Sequence, residues 1–268
     1  MSFNWINPEN FSFNCFTLMD RYLLRSICMS SNIKFRENFG IALAANPVVA
    51  WYCKEKAPEV YGDIEEMVAS APANITPEAV QAAENFVLDA CDWAVVYMYP
   101  EVMNKNCSYI YGWDKVRLFE LANFDGMLVL DVGAGSGRLT FAAAERAKYV
   151  YASEPIDRLR EFMRDKIKRE DLTNIVVLDG MADWLPFEEN FFDIVMFGYV
   201  PFGDCHDNQI SELMRVIKPG GWLLNCPGEE DRKLDPDKEL LKRNWEQLHY
   251  ISKFGGDVYR YRKQIRKK

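Results

Sequence analysis

The chain is poor in metal-binding side chains. Its 268 residues include only two histidines, His206 and His249, and no pair of its seven cysteines forms a C-x-x-C motif. A zinc site therefore has no ligand set to draw on, and no metal is expected. Cys15, Cys28, Cys53, Cys91, Cys107, Cys205 and Cys226 are odd in number, widely spaced and set among apolar neighbours. That pattern reads as reduced core thiols, not a disulfide framework. No basic segment followed by an apolar run opens the chain, so no signal peptide is expected. The most apolar early stretch, residues 11–29, is broken by Asp20, Arg21 and Arg25. No stretch is long and apolar enough to span a bilayer, which makes the cytoplasm the expected location, with no membrane partner. Internal repeats and low-complexity runs are also missing.

What is present is an apolar, acidic chain. About half of the residues (49%) are hydrophobic, enough for a sizeable core, and the net charge is -8. That charge disfavours nucleic acid as a partner. The C-terminal strip from Tyr259 to Lys268 alternates aromatic and cationic residues, on which nucleic acid could stack. An edge strand with a charged outer face is the preferred reading of it. Nothing in the sequence indicates an oligomeric state.

Two regimes divide the chain, residues 1–114 and 115–268. The first is helical and punctuated by proline. Its clearest helix is expected from Pro77 to Tyr99, with Thr76 as N-cap, Pro77 at the first position and Pro100 as terminator. Shorter helices are expected at 16–30, 48–56 and 59–69. This region reads as a helical cap or extension whose sequence gives no chemistry by itself and whose role stays open.

The second regime alternates strands and helices. Strands are expected at 127–132, 149–153, 175–178, 192–197 and 222–225, and helices at 115–121, 138–147, 156–169 and 209–216. The strands are fully apolar, which implies a parallel sheet covered on both faces. Lys218-Pro219-Gly220-Gly221 reads as a turn. After a helix at 236–248, Gly255-Gly256-Asp257 marks a hairpin of two antiparallel strands, 249–252 and 258–265, at one edge of the sheet. The expected fold is a doubly wound α/β domain with a mostly parallel seven-stranded sheet, an antiparallel C-terminal hairpin and an N-terminal helical cap.

The chemistry sits after the first strand. In Asp131-Val-Gly133-Ala134-Gly135-Ser-Gly137-Arg138 a strand runs into a glycine turn and a helix leaves it. Bare glycine backbone allows positive φ and close approach of a ligand, and the helix start offers free N–H groups. Such turns lie at the carboxyl ends of the strands, where open α/β sheets bind ligands. The dinucleotide fingerprint G-x-G-x-x-G fits poorly, because its sixth position is Arg138. About twenty residues on, Glu154 is placed to accept hydrogen bonds from ribose hydroxyls.

These residues resemble the first motif of class I S-adenosylmethionine-dependent methyltransferases, with Glu154 where that family holds its ribose-binding acid. Leu185-Pro186-Phe187, Phe191-Phe192-Asp193-Ile194-Val195 and Val216-Ile217-Lys218-Pro219-Gly220-Gly221 are similar to three later segments of the family, in order. The nearest flavour is the small-molecule branch that includes ubiquinone and menaquinone methyltransferases. The resemblance implies S-adenosylmethionine as cofactor and a small-molecule methyl acceptor. It implies that Gly133, Ala134 and Gly135 lie against the methionine part, with Asp131 holding the loop and the amino group. Pro155 and Ile156 would flank the adenine, Ala182 would offer it a backbone N–H, and Phe197 and Gly198 would approach the methionine portion. Many relatives carry an acid where this chain has Met181. Asp183 either replaces that acid or is a capping, solvated carboxylate.

Methyl transfer from a sulfonium needs alignment and exclusion of water more than acid–base help. Residues after the fourth strand offer one candidate base, His206, beside Asp204 and Asp207, although a plain polar loop accounts for them as well. Cys205 as a nucleophile is a weaker candidate, since only His206 is a basic group nearby in sequence. Tyr111, Trp113 and Tyr199 are candidate pocket residues, by cation–π contact or as ordinary core. Two other functions are weighed: an NAD(P)-dependent oxidoreductase, and a non-catalytic subunit that binds the cofactor. The acceptor atom and the need for a base stay open.

Overall fold

The computed structural model describes residues 3–107, 109–198, 206–229 and 231–267. Two compact units divide the chain, Met1–Asn106 and Cys107–Lys268. Residues 107–114 thus fold with the second unit. Among the described residues no helix is long and apolar enough to cross a membrane.

The first unit is helical: α1 (Arg21–Cys28), α2 (Ile33–Ala45), α3 (Pro47–Lys56), α4 (Tyr61–Ala69), α5 (Pro77–Ala90), α6 (Asp92–Met98) and α7 (Pro100–Asn106). Asp20, Asn32 and Thr76 cap α1, α2 and α5 by accepting the backbone N–H of Leu23, Phe35 and Ala79. The core holds the rings of Phe13, Phe16, Phe35 and Phe39, with Phe16 and Phe39 5.2 Å apart. Gly40 lets α2 meet α4 closely, because a Cβ there would stand 2.2 Å from the Met67 carbonyl oxygen. Two local expectations are corrected. The helix expected from Pro77 to Tyr99 breaks at Cys91 into α5 and α6. The second of these ends just before Pro100, as expected, and Pro100 also opens α7, since its missing N–H costs nothing at a first position. The helix expected at 16–30 is a 3-10 turn (Phe13–Leu18) followed by α1.

The second unit is a seven-stranded sheet in the order β3-β2-β1-β4-β5-β7-β6. Its strands are β1 (Leu128–Val132), β2 (Tyr149–Ser153), β3 (Ile175–Leu178), β4 (Phe192–Phe197), β5 (Ile217–Asn225), β6 (Glu246–Ile251) and β7 (Asp257–Gln264). β1 to β5 pair in parallel and β7 runs antiparallel to β5 and β6. Helices α8 (Val116–Phe119), α9 (Arg138–Ala144), α10 (Asp157–Arg169), α11 (His206–Arg215) and α12 (Lys238–Lys242) complete it. Alternate residues of the central strands feed two cores. Leu130, Val195, Phe197 and Leu223 pack with Ile210 and Leu213 of α11. Val129, Ile194, Met196 and Leu224 pack with Leu139 and Ala143 of α9. Each fully buried side chain of this size contributes about 1.5–3 kcal/mol.

The C-terminal region departs most from expectation. The helix expected at 236–248 is only α12, because Asn244 takes a left-handed φ of 58° and β6 starts at Glu246. The basic strip is not an edge strand. β7 lies between β5 and β6, and its cations are used internally: Arg260 is buried, paired with Glu120 at 2.5 Å, and Arg262 donates to the Leu121 carbonyl at 3.0 Å. The expected Lys218–Gly221 turn lies inside β5 as an irregularity in the register with β4. Lys218 there pairs with Asp193 at 2.7 Å.

Candidate functional site

The glycine turn is built by three left-handed residues: Gly133 (φ 66°), Gly135 (φ 60°) and Gly137 (φ 90°). L side chains rarely adopt these angles, so the turn needs glycine at each. It is pinned to the end of the neighbouring strand, because Gly133 and Ala134 both donate their N–H to the Ser153 carbonyl, at 2.9 and 3.1 Å. Gly137 is the N-cap of α9 and supplies no side chain to that helix end.

Two buried carboxylates stand here. Asp131, at the end of β1, accepts from the Thr140 hydroxyl at 2.6 Å. Burial pushes its acid up to about 6, with the Thr140 hydrogen bond and the charge of Arg138 acting in the opposite sense. Glu154, just beyond β2, is 4% exposed. Its Oε2 accepts from the Gly135 N–H at 2.8 Å and its Oε1 from the Ile156 N–H at 3.0 Å. Burial pushes Glu154 up to about 7 against those two hydrogen bonds. One carboxylate therefore ties the glycine turn after β1 to the start of α10.

The other expected residues fall as follows. Ile156 is buried and Pro155 half-buried beside Glu154. Ala182 is buried, whereas Met181 and Asp183 are exposed on a short bridge between Met181 and Trp184. The Phe197 side chain is fully buried in the sheet core, so only its backbone faces the strand end. Gly198 is half-buried, and a Cβ there would stand 2.8 Å from Arg138 Nη2. Tyr111 is 40% exposed and meets Phe254 edge-on at 5.5 Å. Trp113 is stacked by the Arg138 guanidinium at 4.6 Å. Tyr199, Asp204 and Cys205 lie outside the described residues, as does the side chain of His206, whose backbone opens α11.

Sequence reasoning passed over several groups at this end of the sheet. Arg160 of α10 is buried, donates to the Glu154 carbonyl at 2.6 Å and pairs with Asp157 and with Asp179 at 3.2 Å. Ser153 Oγ is buried with no hydrogen-bond partner among the described residues. Glu229, buried beyond β5, accepts from the Tyr250 hydroxyl at 3.1 Å. The i+6 spacing of Glu154 and Arg160 was the only signal available for any of these. A cleft of about 540 Å³ runs along the outer flank of α9, past Trp113, Arg138, Phe141 and Lys166, and neither the Gly133–Gly135 turn nor Glu154 lines it. Volume alone therefore does not mark the site.

Residues 129–221 match the family model of a methyltransferase domain. This stretch is similar to that family. The chain is 31% identical over 116 residues to a demethylmenaquinone methyltransferase of Lactococcus lactis, covering 42% of this chain and 46% of that protein. It is 25% identical over 162 residues to a ubiquinone/menaquinone biosynthesis C-methyltransferase of Wigglesworthia glossinidia brevipalpis, covering 56% and 62%. The match spans about half the length of these curated relatives. Among solved structures, the fold is similar to a Methanococcus maripaludis protein assigned to the S-adenosyl-L-methionine-dependent methyltransferases (TM-score 0.51, 14% identity, 64% of this chain and 93% of that one). The match to the family model thus spans the glycine turn, Glu154 and the sheet from β1 to the start of β5.

Proposed function

We propose that this protein transfers a methyl group from S-adenosylmethionine to a small-molecule acceptor. The observation that carries the reading is the joint between the strand ends: a side-chain-free turn after β1 whose Gly135 N–H is held by the buried carboxylate of Glu154 after β2. The residues present fit the cofactor. The bare turn admits a ligand close to the backbone, and the buried Ser153 hydroxyl has no protein partner among the described residues. Glu154 would take the ribose hydroxyls, with Pro155 and Ile156 beside the base and the backbone of Ala182 facing its ring. Gly133, Ala134, Gly135 and the backbone of Phe197 and Gly198 would border the methionine portion.

When bound, the sulfonium supplies an already activated methyl group. The protein's work is then to align and to exclude water. Glu154 can fix the nucleoside without itself moving, because its two backbone hydrogen bonds hold it in place. The names of the relatives support a small molecule as acceptor. The six described cysteines are buried thiols outside any disulfide, which suits a reducing compartment such as the cytoplasm.

Calorimetry with S-adenosylmethionine, S-adenosylhomocysteine and NADH tests the reading. Wild type is expected to bind the first two with a Kd on the order of micromolar, and Gly135→Asp to bind neither. Binding of NADH alone would return the oxidoreductase reading. Normal binding by Gly135→Asp would move the site elsewhere.

A further inference from the structure

Arg138 follows the glycine turn directly and opens α9. Its guanidinium is held in three ways. Nη2 donates to the Cys226 carbonyl at 2.7 Å, just past the end of β5. The planar group lies over the Trp113 ring, 4.6 Å from its centroid. It fills the space beside Gly198, where a Cβ would stand 2.8 Å from Nη2. Yet Nη1 is buried and has no hydrogen-bond partner among the described residues, and the same holds for Nε1 of Trp113. Buried donors without acceptors are unfavourable and call for an explanation. Here two of them belong to one stacked pair.

We propose that Arg138 and Trp113 receive the α-carboxylate of the methionine-bearing cofactor, with Asp131 as the complementary charge for its ammonium. The inference rests on the reading of the glycine turn as that cofactor's seat. A carboxylate offers two anionic oxygens to a cationic N–H donor and a neutral one. The surroundings favour the cofactor over an anionic acceptor as the source of that carboxylate. Arg138 adjoins Gly137 in the chain, borders Gly198 in space, and its charge is felt by Asp131. An α-amino acid carries one negative and one positive group on a single carbon, and Arg138 and Asp131 present the opposite pair. The stacked indole also keeps the guanidinium from turning away to water, so less freedom is lost on binding.

The test compares S-adenosylmethionine with decarboxylated S-adenosylmethionine by calorimetry, on wild type, Arg138→Met and Trp113→Phe. Arg138→Met is expected to weaken S-adenosylmethionine on the order of 30-fold and the decarboxylated ligand by less than about threefold. Trp113→Phe keeps a stacking ring, loses the N–H and is expected to weaken only S-adenosylmethionine, by about fivefold. Retained binding of the decarboxylated ligand shows that each variant is folded. If Arg138→Met does not fold, Trp113→Phe carries the same comparison. Equal losses for both ligands, or none for either, would overturn the inference and leave the proposed function standing. Failure of wild type to bind either ligand would instead remove the reading on which it rests.

Discussion

In the helical unit the buried carboxylates serve the backbone: Asp20 accepts from the Leu23 N–H at the start of α1, and Asp92 accepts from the N–H groups of Phe3 and Trp5. In the sheet unit, Asp131, Ser136, Thr140, Ser153, Glu154, Arg160 and Glu229 are all buried, and Ser153 and Glu229 each keep an oxygen without a partner among the described residues. Several of these groups gather where β1 and β2 end. Burying polar groups is costly unless they are satisfied. In the helical unit Asp20 meets that cost with a local cap and Asp92 with two backbone N–H groups distant in the chain. The sheet unit buries more such groups, and Ser153, Glu154 and the glycine turn among them lie in the stretch that matches the methyltransferase-domain model.

This contrast makes the helical unit's interior a matter of packing, and it can be broken by a mutation that disturbs packing and also changes binding. Gly40→Ala places a methyl group against the Met67 carbonyl, a backbone atom that cannot swing aside. Helix propensity returns about 1 kcal/mol, and the clash outweighs it, for a net loss of about 2 kcal/mol. Denaturant unfolding should show that loss. Calorimetry on the same variant should leave S-adenosylhomocysteine affinity within about twofold of wild type. A larger change would mean that the helical unit takes part in cofactor binding.

A smaller effect sharpens the other side. Asp131 is held up at about 6, above its ordinary 3.8. Between about pH 4 and 6 the folded chain therefore keeps a proton that the unfolded chain has lost, and stability from this group falls as pH rises through that window. Asp131→Asn removes the titration and can still accept from Thr140. Its stability relative to wild type should rise by about 2 kcal/mol from pH 4 to pH 7, read from melts across that range. A constant difference would show that Asp131 is not strained by burial.

Much of the sheet unit was legible in the sequence because parallel buried strands are short apolar runs with clear ends. The bounds of β2, β3 and β4 follow from that pattern alone. Glu154 was legible by its distance from the glycine turn. The tail was less so. Leu240, Leu248 and Trp245 fit a helical stripe, but the left-handed Asn244 divides them between α12 and β6. Helix α2 escaped notice although Phe35, Phe39, Ala42 and Leu43 form a buried stripe, since Gly40 weakens a local helical signal. The company of Arg138 was not legible at all. Sequence supplied a long side chain in an awkward place, and only the fold brings Trp113, Gly198 and Cys226 around it.

A crystal structure of the full chain with S-adenosylhomocysteine tests the central claim most directly. The account predicts the nucleoside beyond the ends of β1 and β2, its ribose hydroxyls on the Glu154 carboxylate and its amino-acid end against residues 133–135. Density for the ligand at any other place, or a Glu154 carboxylate still closed off by protein alone with the ligand bound, would contradict it.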